Sequence, residues 1–283
     1  MRIGTEGRMA ASVGFLYPGH SAEDDYPVIE RILGDVRLPV VHTLMREDAH
    51  RVDALLDVGG ADVLSDGARR LRELEVTAAV WACTSGSFVF GWDGAADQVA
   101  GVREAAGAPA SSTSFAFVNA ARHLGLSRVA VAATYPADVA ERFAAFLGHA
   151  GIEVVALTSR GIITAAEVGT LGRDEVLDFV AANDHPGAEA VLVPDTALHT
   201  VAWLDDLEAR LGKPVLTANQ VSVWEGLRLA AASGDGAASA LRARPGLGTL
   251  FATEFMGDAG AAVPVPSGHA SAEPVPGARL RTL

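Results

Sequence analysis

Two short phrases occur twice at nearly the same offset, and this constrains the fold more than any other feature. Val80-Trp81-Ala82-Cys83-Thr84-Ser85 closes one apolar run, and Leu192-Val193-Pro194-Asp195-Thr196-Ala197 closes another. Alongside them, Gly14-Phe15-Leu16-Tyr17-Pro18 is echoed by Val131-Ala132-Ala133-Thr134-Tyr135-Pro136. Each phrase has the form of a buried strand that stops at a functional side chain. The shared offset predicts two related βα halves, with Cys83 and Asp195 at matching strand ends, facing each other across a cleft. That geometry suits an enzyme that adds or removes a proton at carbon from opposite faces.

The rest of the chain fits such halves. Short apolar runs at 11–17, 38–44, 78–82, 128–133, 153–157 and 190–193 alternate with amphipathic stretches. The latter predict helices over 22–33, 49–57, 64–74, 96–106, 114–124, 137–150, 173–182, 200–211 and 220–231. Non-alternating strands between helices imply parallel sheets covered on both faces. The expected fold is therefore α/β, with two pseudo-symmetric Rossmann-like domains and the site between them, beyond the carboxyl ends of the strands. Residues 1–113 are expected to form the first domain, completed by 216–261, and 114–215 the second. The Pro-, Ala-, Gly- and Ser-rich stretch 262–283 is expected to be a mobile tail.

Composition narrows the function. The 283 residues are 49% hydrophobic and 20% charged, as in a well-buried globular protein. A net charge of −13 without any basic run argues against nucleic acid or an anionic membrane as partner. The single cysteine permits no internal disulfide and fits a reducing, cytoplasmic setting. No window is apolar for about 18 residues, so no transmembrane helix is expected, and the first residues lack the apolar core of a secretory signal. The eight histidines form no HxxxH or HExxH pair, so no metal site is expected. There is no GxGxxG, no GxxxxGK[ST] and no GxSxG. What remains is carbon-acid chemistry without a cofactor.

Cys83 ends a strand and precedes Thr84-Ser85-Gly86-Ser87. If a helix starts there, its N–H groups and the hydroxyls of Thr84, Ser85 and Ser87 form an anion cradle. The helix start would also lower the thiol pKa from about 8.5 and favour thiolate. The alternative is a small buried core cysteine. Asp195 is either a proton donor in the cleft or an N-cap for the next helix. Tyr135 is either a phenol donor to a substrate carboxylate or a packed aromatic in a turn, with Tyr17 as its counterpart. Pro18, Gly19, His20 and Ser21 are expected to line the same cleft, with Thr196 opposite. Glu23-Asp24-Asp25 reads as the acidic first turn of a helix, with no catalytic role.

At these residues the chain resembles the aspartate/glutamate racemase superfamily, in its arylmalonate decarboxylase and maleate cis-trans isomerase branch. The likeness is carried by residues 13–18, 83–88, 133–136 and 212–220, the last running into Trp224-Glu225-Gly226-Leu227-Arg228. It implies two pseudo-symmetric α/β domains, no cofactor, a small carboxylic or dicarboxylic acid as substrate, and a site between the halves. Homo-oligomers are common among such folds. In the decarboxylases a Thr-Ser pair and a Tyr form a dioxyanion hole, roles that fall on Thr84, Ser85 and Tyr135. Loss of CO₂ gives an enediolate that a cysteine protonates. There the cysteine lies in the second half and glycine in the first, whereas here Cys83 is in the first half and Asp195 in the second. In the isomerases a first-half cysteine attacks the double bond, which Cys83 matches, but the second-half cysteine is Asp195. Thr164-Ala165-Ala166 also stands where that group carries an asparagine. The leading expectation is decarboxylation of a substituted malonate with Cys83 as proton donor. Isomerisation through a Cys83 adduct is the alternative, and a non-catalytic carboxylate binder is the third.

Overall fold

A computed structural model describes residues 11–233, 243–253 and 280–282. Strands β1 (Ala11–Pro18), β2 (Val36–Arg37), β3 (Val40–Thr43), β4 (Ala78–Trp81) and β5 (Ala110–Ser112) form the first sheet. Strands β6 (Arg128–Ala133), β7 (Glu153–Ser159), β8 (Ala190–Val193), β9 (Val215–Thr217) and β10 (Leu280–Thr282) form the second. Every strand pair is parallel. In the first sheet β1 lies between β3 and β4, with β5 beyond β4. In the second β6 lies between β7 and β8, with β9 beyond β8. The two echoes thus occupy equivalent strands, with the Tyr-Pro phrases ending β1 and β6 and the Cys83 and Asp195 phrases following β4 and β8.

The helices are α1 (Asp25–Leu33), α2 (Val52–Val58), α3 (Ala61–Arg72), α4 (Ser85–Phe88), α5 (Gly91–Ala106) and α6 (Thr113–His123) in the first part of the chain. Then come α7 (Ala137–His149), α8 (Ala165–Val168), α9 (Arg173–Ala182), α10 (Leu204–Leu211), α11 (Ala218–Ala232) and α12 (Gly248–Ala252). A 3₁₀ turn, Val201–Trp203, precedes α10. Burial explains the strand pattern: all four residues of β4 and all four of β8 are buried, so neither strand alternates. The three-residue strands β5 and β9 were not anticipated, because three residues carry no readable period.

Helices α6 and α11 follow the equivalent strands β5 and β9 and pack on each other along the seam. Both start from a hydroxyl residue. Ser112 Oγ accepts from Phe115 N at 3.5 Å, and Gln220 Oε1 takes the Thr217 N–H at 3.0 Å. Across the seam Thr113 Oγ1 meets Ser222 Oγ at 2.6 Å, and Asn119 donates to Glu225 Oε1 at 2.9 Å. Helix α11 lies against β1, β4 and β5 as well. At Gly226 a Cβ would overlap the Val13 side chain, so the missing side chain is what lets α11 approach β1. Strand β9 pairs with β8 in the second sheet over 215–217, and α11 starts directly after it at Ala218. One apolar cluster runs through both halves, from Val13 and Phe15 to Val129, Val131 and Leu192.

Residues 254–279 and 283 lie outside the described residues, and with them most of the tail expected from 262. Residues 280–282 pair with Leu157–Ser159 as a parallel edge strand. No helix among the described residues is long and apolar enough to cross a membrane.

Candidate active site

Between the carboxyl ends of the two sheets lies a pocket lined from both halves. Cys83, Ser85, Pro18 and Ser21 come from the first, and Asp195, Thr196 and Ala165 from the second. A third wall comes from the β3–α2 connection, with Met45, Asp48 and His50, and from Leu55 and Val58 of α2.

On the first wall the chain leaves β4 and turns into α4, which is only four residues long. Gln98 of α5 pins that turn by donating to the carbonyls of Gly59 at 2.8 Å and Gly86 at 2.9 Å. The Gly86 N–H points at Cys83 Sγ at 3.3 Å, and Ser85 Oγ stands 3.9 Å from the same sulfur. A Cβ on Gly86 would sit 3.0 Å from that sulfur, so glycine permits the approach. Thr84 Oγ1 is buried with no hydrogen-bond partner among the described residues. A buried hydroxyl without a protein partner is placed to receive a ligand oxygen. Ser87 is not, because it donates to Ser112 Oγ at 2.9 Å.

The protonation state of Cys83 differs from the sequence expectation. Burial pushes the thiol up to about 11; the Gly86 N–H and Ser85 oppose the rise, and the charge of Asp195 adds to it. A four-residue helix has little macrodipole to offer, so desolvation prevails and the group is a thiol at neutral pH.

On the second wall Asp195 is fully engaged. Its Oδ2 accepts from the Thr134 hydroxyl, and its Oδ1 from Ala197 N at 2.9 Å. Both oxygens are therefore held by donors of the second half. It makes an Asx turn and does not cap a helix, since the next helical turn begins only at Val201. Its neighbour across the pocket is His50, with Nε2 at 3.9 Å from Oδ2. His50 Nδ1 donates to the Ile162 carbonyl at 3.0 Å, which turns Nε2 inward. Tyr135 stands between the His50 and Phe88 rings and donates its phenol to the Pro194 carbonyl at 2.7 Å. Burial, reinforced by Asp195 and Cys83, holds that phenol well above its ordinary pKa. Tyr17 makes the equivalent bond to the Thr196 carbonyl at 2.8 Å, so the two tyrosines hold the backbone on either side of Asp195.

Of the residues singled out in the sequence, Cys83, Ser85, Pro18, Ser21, Asp195 and Thr196 line the pocket. Thr84 and Tyr135 are buried and do not line it, although the Tyr135 ring packs on His50, which does. Gly19 and His20 do not line it: Gly19 turns with φ of 62° and His20 points to solvent. Asp25 does stand in the first turn of α1, as expected. It is buried, and its Oδ2 accepts from Asn219 at 3.0 Å. Sequence reasoning missed His50, Asp48 and Asn219. Asp48 receives the Ala165 and Ala166 N–H groups at 2.7 and 3.0 Å and so closes the third wall onto α8. The only local signal for this loop was a polar run, Arg46-Glu47-Asp48, ahead of a helix.

This geometry can be set beside known proteins. The arylmalonate decarboxylase family profile matches residues 57–242. Over 188 residues, 66% of this chain and 75% of the relative, the chain is 34% identical to arylmalonate decarboxylase of Bordetella bronchiseptica. The chain belongs to the arylmalonate decarboxylase family. It is also 26% identical to maleate isomerase of Alcaligenes faecalis over 121 residues, 42% of this chain and 48% of that one. Among solved structures it resembles a liganded arylmalonate decarboxylase mutant in which one glycine is changed to cysteine and one cysteine to serine. That match has a TM-score of 0.73 and 28% identity, over 85% of this chain and 98% of the other. The fold is shared with a maleate isomerase of Pseudomonas putida S16 bearing a cysteine-to-alanine change, with a TM-score of 0.76 and 20% identity over 86% and 97% of the two chains. This member of the arylmalonate decarboxylase family is thus an enzyme of the carboxy-lyase or cis-trans isomerase kind.

Proposed function

We propose that the protein decarboxylates a substituted malonate-type acid without a cofactor, and that Cys83 protonates the intermediate. The observation that carries this reading is the buried Cys83 thiol, held protonated on the pocket wall 3.9 Å from the Ser85 hydroxyl and followed by the unpartnered hydroxyl of Thr84. One substrate carboxylate accepts from the Thr84 and Ser85 hydroxyls and from Tyr135, whose O–H rotates away from the Pro194 carbonyl. The other leaves as CO₂, and the electron pair of the broken C–C bond passes into the first, giving an enediolate. The three donors stabilise that charge as it develops. The Cys83 S–H bond then breaks, its proton goes to the α-carbon, and the thiolate is left. His50, with Nε2 turned into the same pocket, is the titratable group placed to pass a proton back. Asp195 holds the opposite wall and faces His50.

Isomerisation by Cys83 addition needs the thiolate first. At a pKa of about 11, forming it at pH 7 costs about 5 kcal/mol. Donation of a proton requires no such step, which is why decarboxylation ranks first. The solved relative that gains one cysteine and loses another was captured liganded, which supports such a cysteine exchange being compatible with ligand binding in this fold.

The deciding experiment is proton NMR in D₂O with phenylmalonate, methylmalonate and maleate, beside Cys83→Ala. Decarboxylation predicts loss of CO₂ with one deuteron at the α-carbon, absent in the variant. Fumarate from maleate, with an adduct of substrate mass on Cys83 after acid quench, would replace this reading by the isomerase. Stabilisation by these acids with no turnover in any tube would leave a carboxylate binder.

A further inference from the structure

Outside the pocket, the Pro18–Asp24 loop brings together three side chains with no part in the chemistry above. His20 and Glu23 come from the loop itself, and His42 from the end of β3, where it is registered beside Tyr17. One ligating atom from each lies within 4.8 Å of the others. We propose that His20, Glu23 and His42 form a binding site for a divalent transition-metal ion of the zinc type.

The argument starts from His42. Its Nδ1 stands 2.6 Å from the Gly19 carbonyl, which can only accept, so Nδ1 carries a proton and in the neutral ring Nε2 offers the lone pair. That lone pair faces Glu23 Oε1 at 4.0 Å. His20 Nδ1 approaches the same oxygen at 2.9 Å. A tetrahedral ion bound at about 2.0–2.2 Å holds its ligand atoms about 3.3–3.6 Å apart, so these two separations bracket what a metal needs. Glu23 Oε2 accepts the Ser21 N–H at 2.6 Å, the kind of outer support that ligating carboxylates and imidazoles receive.

Two imidazoles with one carboxylate suit zinc, cobalt or nickel and not calcium or magnesium, which take oxygen ligands. An ordinary i,i+3 surface pair would account for His20 and Glu23. It would not account for a third residue, from another strand, oriented with its lone pair toward the same oxygen. No sequence motif announces the site, because the ligands are not spaced on one helix; parallel pairing of β1 with β3 brings His42 to the loop. The site also abuts the pocket. Ser21, held by Glu23, shares its hydroxyl proton between the carbonyls of Ala165 and Ala197 at 3.1 and 2.8 Å, across the two halves. A bound ion would therefore fix the loop that bridges them.

The test is calorimetric titration of the full chain with Zn²⁺ in chelator-free buffer, with Co²⁺ absorption as a second readout. It is repeated for His20→Ala, His42→Ala and Cys83→Ala. His20 is 74% exposed, so its loss leaves the fold intact, and circular dichroism checks His42→Ala. The expected result is one Zn²⁺ per chain, affinity at least tenfold weaker in each histidine variant, and unchanged affinity in Cys83→Ala. Absence of stoichiometric Zn²⁺ binding by the wild type, or wild-type affinity in His20→Ala, would overturn the site.

Discussion

A proton donor must be protonated before it acts, so the Cys83 thiol sets one limb of the pH profile. With the group pushed up to about 11 by burial, we expect kcat to be flat with respect to Cys83 from neutral pH to about 9. It should fall only as the thiol ionises above that. A thiolate nucleophile would give the opposite sign, with rate rising toward pH 11, so a stopped assay from pH 7 to 10 separates the two. Ser85 makes a second prediction at this scale. Its hydroxyl lies 3.9 Å from the sulfur and lines the pocket. Removing one oxyanion donor typically costs about 3 kcal/mol, so Ser85→Ala should lower kcat by about two orders of magnitude. A loss under threefold would remove Ser85 from the donor set. Cys83, Asp195, Thr84 and Ser85 were legible in the sequence because each follows a strand end in a repeated phrase. The thiol's protonation state was not, because it depends on how completely distant segments exclude water.

Among the elements, the β3–α2 connection matters most to the site. It comes from the first half yet is fastened to the second by Asp48 on the start of α8 and by His50. The His50 N–H donates to the Ile163 carbonyl at 2.6 Å, and its ring to Ile162. Losing a carboxylate that caps backbone N–H groups costs about 1 kcal/mol. Asp48→Ala should therefore lower kcat/KM about fivefold, mainly through KM, with little change in global melting temperature. An unchanged KM would show that the closed arrangement of this loop is not held by Asp48. Strands of four or more residues and the long helices followed from periodicity, whereas α4, α8, α12 and the three-residue strands did not. Elements that short are specified by what they pack against.

For the whole molecule, Asp25 joins segments from both halves. Its Oδ2 accepts from Asn219 on α11 and from Thr200 N at 3.3 Å, while Asn219 also donates to the Thr196 carbonyl at 3.2 Å. Burial raises the Asp25 carboxyl to about 6 against the hydrogen bonds of Asn219 and Thr200. The folded state then holds this proton more tightly than the unfolded state, whose ordinary value is 3.8. Its contribution to stability is therefore greatest at low pH and is lost as pH rises from about 4 to 6, by about 3 kcal/mol in total. Denaturant unfolding of Asp25→Asn should show a shallower decline than wild type across that window. Parallel curves for the two proteins would place the pH dependence elsewhere.

The amino-acid sequence by itself determined the alternation of strand and helix, the duplication and the strand ends on which Cys83 and Asp195 stand. These are local properties, written in short apolar runs and in the residues that end them. Tertiary structure alone decided that His50 faces Asp195, that both tyrosines brace the backbone around that aspartate, and that His42 meets His20 and Glu23. It also decided that Cys83 remains a thiol. Each of these depends on contacts between segments far apart in the chain, whose distances and dielectric surroundings exist only once the two halves have closed on a shared core.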